Sequence, residues 1–151
     1  MKNILLLLLL SITLSASSQS NFSQIDSHQI NGEIVKYSVT EYYANGVIKI
    51  QGQFDAFGNK TGFWISRWEN GNLMHTGTWN MGVKHGEQVS YNLDGVPILI
   101  SSWKLGKKHG SFKRYSDDGD RLVEQREYRR GRLTESFRWN QENGGLLIVK
   151  L

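Results

Sequence analysis

Cysteine is absent from this 151-residue chain, and proline occurs once. Without cysteine there can be no disulfide scaffold, no thiol nucleophile and no thiolate zinc site. Long apolar runs are equally scarce. Beyond Ile4 to Leu10 nothing approaches 18 consecutive apolar residues, so no transmembrane helix is expected after the N-terminus. Nucleophile motifs are missing too. No G-x-S-x-G occurs, and none of the four histidines stands beside a serine and a carboxylate in a recognisable pattern. Glycine is abundant, with 16 residues, and so are rings, with five Trp, six Tyr and six Phe. So many large rings argue against a disordered chain. The length allows one domain or one short repeat array. Neither an enzyme nor a cofactor is expected.

The N-terminus reads as an export signal. Met1-Lys2-Asn3 gives a basic start, Ile4 to Leu10 an apolar core, and Ala16-Ser17-Ser18 the small residues that a signal peptidase needs before a cut after Ser18. The alternative is an uncleaved anchor, for which the apolar segment is short. A lipid anchor on cysteine is chemically unavailable. The mature chain is therefore expected in the periplasm or outside the cell.

Internal repetition organises the rest. Gly71, Trp79, Gly82, Lys84, His85 and Gly86 return 24 residues later as Gly95, Trp103, Gly106, Lys108, His109 and Gly110. Gly46, Phe54, Gly58 and Gly62 hold the same places upstream with one residue inserted. Tyr91 is followed by Tyr115, and Trp103 is answered by Tyr128 after a one-residue slip. A fixed period in this range marks a repeat array. Each unit reads as a hairpin, for example strand Phe63 to Trp68, turn Glu69 to Asn72 and strand Leu73 to Trp79. The hairpin signal is Asn-Gly or Asp-Gly, at Asn45-Gly46, Asn70-Gly71, Asp94-Gly95 and Asp118-Gly119, where both central residues can take positive φ. A second turn is expected over Gly82 to Gly86 and again over Gly106 to Gly110. Pro97 fits as the first residue of a strand. Helix is excluded by the recurring glycines and by the lack of a sustained 3.6-residue apolar period.

The expected fold is all-β, an elongated single-layer antiparallel meander of hairpin repeats. The expected divisions are a signal peptide over 1–18, an N-terminal cap or linker over 19–36, repeats over 37–139 and a C-terminal capping strand over 140–151. Ile25 to Val35 and Leu146 to Leu151 are the candidate capping edges, and the second is apolar enough to aggregate if left open.

The unit Phe63-Trp64…Trp68-Glu69-Asn70-Gly71…Gly77-Thr78-Trp79…Gly82-Val83-Lys84-His85-Gly86 resembles the variant class of MORN repeats (membrane occupation and recognition nexus). Chains of such units are often placed in the YwqK family of toxin–antitoxin system antitoxins. The likeness covers about two thirds of the chain, in three good copies with a looser copy at each end. It implies hairpin arrays that serve as interaction surfaces, and in antitoxin members the neutralisation of a toxin by binding. It brings no catalytic residues. An export signal sits poorly with neutralisation in the cytoplasm.

Two surface features are candidates for partner binding. Trp79, Trp103 and Tyr128 share one repeat position, and Trp68, Tyr91 and Tyr115 approximately share another, so stacked hairpins would carry two aromatic ladders. Such ladders hold a thin sheet together or offer a platform to a partner. Charge is the second feature. From Lys104 to Arg138 there are eleven Lys or Arg against six Asp or Glu, whereas Gln19 to Trp103 has five against seven. Arg126, Arg129, Arg130 and Arg132 form the densest cluster. It could steer an acidic protein or act at a membrane surface or glycan, while interspersed carboxylates and the lack of a nucleic-acid fold signature argue against nucleic acid.

No metal is expected. Equivalent side chains at His85 and His109 would lie about 10 Å apart, beyond a shared zinc with bonds of about 2.1 Å. Asp117 to Asp120 crowds its carboxylates where a hairpin turn falls, and does not follow a calcium-loop spacing. The function expected is a secreted protein-interaction surface, antitoxin or immunity-like. The alternative is an envelope module that binds anionic lipid or polysaccharide.

Overall fold

A computed structural model of the protein describes residues 23–139 and 146–150. The expected signal peptide therefore lies outside the described residues. The described chain forms eleven strands: β1 (Ser23–Ile30), β2 (Glu33–Tyr42), β3 (Ile48–Asp55), β4 (Lys60–Arg67), β5 (Leu73–Asn80), β6 (Val83–Tyr91), β7 (Pro97–Lys104), β8 (Lys107–Tyr115), β9 (Leu122–Arg129), β10 (Arg132–Trp139) and β11 (Leu146–Lys150). They form one open sheet in sequence order from β1 to β11, every neighbour antiparallel. This is the expected single-layer meander, and β7 opens on Pro97, where a missing N–H is tolerated. The strands at its two ends are β1 and β11.

The two long edges of the sheet differ in most of their turns, the exception being Asp55 to Asn59, a three-residue loop ending in Gly58 on the edge that otherwise carries two-residue loops. Along one edge, Tyr43 to Val47, Trp68 to Asn72 and Asn92 to Val96 each close in the same way. The first residue's N–H meets the fifth residue's carbonyl, and the glycine N–H returns to the first carbonyl, as in Gly71 to Trp68 at 2.9 Å. These are three-residue loops ending in a glycine at positive φ. Asn45, Asn70, Asp94 and Asp118 keep negative φ. The sequence reading had both residues of Asn-Gly positive, and the structure corrects it. The true two-residue loops lie along the opposite edge, at Asn31-Gly32, Met81-Gly82, Leu105-Gly106 and Arg130-Gly131. There both residues have positive φ, for example 47° at Met81 and 80° at Gly82, the type I′ pattern.

The segments 82–86 and 106–110 are also corrected. Only Gly82 and Gly106 belong to turns. Val83 to Gly86 and Lys107 to Gly110 run inside β6 and β8, where the pairing register shifts at β-bulges. The bulge explains why glycine recurs at the end of each segment. Gly86 and Gly110 take φ of 70° and 89°, which a residue with a Cβ resists.

Most of the buried residues line one column on one face of the sheet, with Thr76 buried on the other face and Glu124 beside the column's far end. Cross-strand partners share a face, which places Val39, Gly52, Trp64, Gly77, Gln88, Ser101, Phe112 and Arg126 in a row. Until its last member, the row alternates larger side chains from even strands with small residues from odd ones. Trp64 lies over Gly52 and Gln88 over Gly77, so close that a methyl group added at either glycine would overlap the neighbour's side chain. Trp64 is 5% exposed and Gln88 only 2%. The polar ends of both side chains are satisfied in the same way. Trp64 Nε1 donates to the Gln53 and Thr61 carbonyls at 3.1 and 3.2 Å. Gln88 Nε2 donates to the corresponding carbonyls of Thr78 and His85 at 2.8 and 3.5 Å. A glutamine can thus replace a tryptophan in the core because each brings an N–H to the bulge.

Candidate functional site

The bulged strands set a lysine against each rung of the first aromatic ladder. Trp79 pairs with Lys84 and Trp103 with Lys108 across their hairpins. Ammonium groups also reach forward by one unit. Lys60 lies 5.1 Å from the Trp79 ring, Lys84 lies 4.9 Å from Trp103, and Lys108 lies 4.8 Å from Tyr128. Lys60 is closer still to Trp64, at 4.2 Å. The ladder of Trp79, Trp103 and Tyr128 is therefore interleaved with Lys60, Lys84 and Lys108, each contact contributing about 0.5–1 kcal/mol when exposed. Phe54 and Trp64 begin the array with an edge-to-face contact at 4.9 Å. The three ladder rings, Trp79, Trp103 and Tyr128, are half-buried and already have cations as neighbours.

The second ladder is shorter than the sequence suggested. Tyr91 and Tyr115 share a register, each near the end of an even strand, and the Tyr91 hydroxyl meets Thr76 Oγ1 at 3.4 Å. Trp68 stands one place later, at the start of a turn, with Tyr43 and Asn92 as its repeat mates. There it staples units together. Trp68 Nε1 donates to the Asn92 carbonyl at 2.9 Å, as the Tyr43 hydroxyl donates to Arg67 at 2.7 Å. Asn45 Nδ2 donates to Glu69, Asn70 Nδ2 to Leu93, and Asn92 Nδ2 to Asp117. Each of these donors points to the following turn. On the other edge the sense reverses, with the Gly82, Gly106 and Gly131 N–H groups donating back to Lys60, Lys84 and Lys108 carbonyls.

The arginine cluster divides. Arg126 belongs to the sheet face, where it joins Arg114 and Arg138 around the buried Glu124. Their nitrogens lie 2.6 Å (Arg126), 3.1 Å (Arg138) and 3.5 Å (Arg114) from its carboxylate. Burial alone would raise the Glu124 pKa, but the Arg138 hydrogen bond and the charges of Arg126 and Arg114 more than offset it and hold it below the ordinary value. Arg126 also lies over the Phe112 ring at 5.7 Å. Arg129, Arg130 and Arg132 sit instead at the β9–β10 turn, with Arg129 directly opposite Arg132.

His75 Nε2 contacts Gln88 Oε1, and its Nδ1 contacts Ser90, both at 3.2 Å. Burial, with Lys84 and Lys60 nearby, lowers its pKa despite the Gln88 bond. His85 and His109 lie in bulged strands. His109 Nδ1 accepts the Arg130 N–H at 3.4 Å, while His85 Nδ1 is buried without a partner. Among the described residues no three His, Asp or Glu side chains gather as a metal set would. Asp118 is occupied by its own turn, accepting the Ser116 hydroxyl and the Asp120 N–H.

One row escaped the sequence reading. Phe57, Met81 and Leu105 each precede a turn glycine, are spaced by 24 residues, and occupy the tips of successive hairpins on one long edge. They are 87, 71 and 60% exposed. Arg130 continues the row. The 24-residue spacing is present in the sequence, but exposure at the turn tips follows only from the hairpin register.

A one-layer hairpin array with stapled turns defines a β-repeat protein, a class that works through extended surfaces. Residues 38–56 match the MORN repeat variant. The match covers the β2–β3 hairpin, which is the upstream copy of the unit and not the Phe63 to Gly86 copy. No curated protein matches the chain.

Proposed function

We propose that this repeat array is an exported, non-enzymatic scaffold that docks a protein partner along the edge bearing Phe57, Met81 and Leu105. An antitoxin or immunity-like role, in which the partner is a toxin occluded by binding, is the specific form of this reading. The observation that carries it is the row itself. Met81 and Leu105 hold positive φ, which costs an L-residue about 1–2 kcal/mol, and they expose large apolar side chains where asparagine would be easier. Lysines and arginines at neighbouring turns complement a partner with an apolar groove and an acidic rim. The aromatic ladder, already interleaved with lysines, supports the sheet beneath this edge.

The test is capture from the native envelope fraction at about 1 M salt, where screening reduces the Debye length to about 3 Å. A stoichiometric protein retained by the chain and lost by the Phe57→Ser/Met81→Ser/Leu105→Ser variant is the expected result. Growth arrest when that partner is expressed alone, relieved by co-expression of the chain, identifies it as a toxin. Equal retention by both forms, or recovery of lipid or polysaccharide alone and only at low salt, overturns the reading in favour of an envelope module.

A further inference from the structure

We propose that the cleft between the β7–β8 and β9–β10 turns binds a compact phosphate-type anion, independently of any protein partner. The cleft encloses about 450 Å³ and is lined by Lys104, Leu105, Lys107, His109, Arg129 and Arg130. Five of these six residues are basic and none is acidic. The hairpins bring like charges together, for Lys104 pairs directly with Lys107 and Arg129 with Arg132. Like charges directly opposite on neighbouring strands are destabilising, so an anion between them relieves the repulsion.

The chain contains its own control. One unit earlier the same hairpin pairs Asn80 with Val83 around Met81-Gly82, and it folds to the same turn without a cation. Val83 packs on Gly106, with its Cβ 3.3 Å from where a glycine methyl would sit, and Lys107 packs its stem on Gly131 in the same way at 3.7 Å. Valine therefore supplies all the packing this position needs. The change from Asn80, Met81 and Val83 to Lys104, Leu105 and Lys107, and then to Arg129, Arg130 and Arg132, adds charge that the fold does not require.

Donor geometry points to the ligand class. His109 Nδ1 accepts the Arg130 N–H, which places the imidazole proton on Nε2 as a donor. Ammonium, guanidinium and imidazole donors from three strands and two turns surround a concave space. Such a set suits the three or four oxygens of a phosphate ester or diphosphate better than the two of a carboxylate.

Calorimetric titration of the chain with inorganic pyrophosphate at about 0.15 M salt tests the site, alongside co-sedimentation with phosphatidic acid and phosphatidylcholine vesicles. The matched variant is Lys104→Asn/Lys107→Val, which copies the preceding unit. Lys107→Val alone serves if the double variant does not fold. Expected are binding by the chain, about tenfold weaker binding by the variant, and a higher melting temperature for the anion-free variant than for the anion-free chain. Binding of free pyrophosphate assigns the site to a soluble phosphate compound, and binding to phosphatidic acid vesicles alone assigns it to a lipid headgroup. No binding to either, equal binding by chain and variant, or preference for a pentaglutamate peptide overturns the proposal.

Discussion

Gly52 and Trp64 show how little separates order from collapse in a sheet whose described residues form a single layer. Gly52 has no side chain because the Trp64 indole fills that space. Gly52→Ala should displace a rigid ring from its two carbonyl bonds and destabilise the protein by about 3 kcal/mol, the upper range for overpacking, read as a fall in the urea midpoint. Glu124 poses the opposite problem, a buried charge held by three arginines. Glu124→Gln leaves those arginines facing one another and should cost about 3 kcal/mol, the low end for breaking a buried pair because the arginines remain partly in water. Its pH dependence follows from the lowered pKa. The stabilisation is fully present above the ordinary value of 4.5 and is lost as pH falls through the lower folded-state value. An acid titration of the melting temperature should therefore show a steep loss in the chain and a shallower one in the variant.

Turns carry the lesson at the level of elements. The 24-residue period, the antiparallel hairpins and the strand start at Pro97 were legible because glycine spacing and ring spacing are local facts of sequence. Turn type was not legible. Asn70-Gly71 fits a two-residue or a three-residue loop equally well, and the choice depends on which flanking residues pair. The asparagines instead spend their amides on the next turn, as Asn70 does on Leu93 at 2.8 Å, a contact that exists only once the units stack. The basic surplus after Lys104 could be counted, but the facing of Lys104 and Lys107 required the register. Met81→Asn should place at the β5–β6 turn the residue that Asn31 already supplies at β1–β2. It is expected to stabilise the fold by about 1 kcal/mol because asparagine tolerates positive φ better than methionine, measured by denaturant unfolding, while weakening capture of the partner.

Across the whole molecule, each strand packs chiefly on its two neighbours, and the first and last strands lie at opposite ends of the sheet. Stability is thus a sum of local units and the staples between them, with no central core among the described residues for distant parts to share. Glu124 and its arginines anchor the β8–β10 end, and Trp64 anchors the β3–β5 end. The sheet order also fixes how the protein bears load. Tension between its ends runs along the hydrogen bonds and across the strands, so pairs open one after another and are never sheared all at once. Pulled in an optical trap, the chain should yield at low force in a staircase. Each step should lengthen it by about 70 Å, since 24 residues span roughly 80 Å extended but about 10 Å across two paired strands. A single abrupt rupture of the whole sheet would mean that the units fail together.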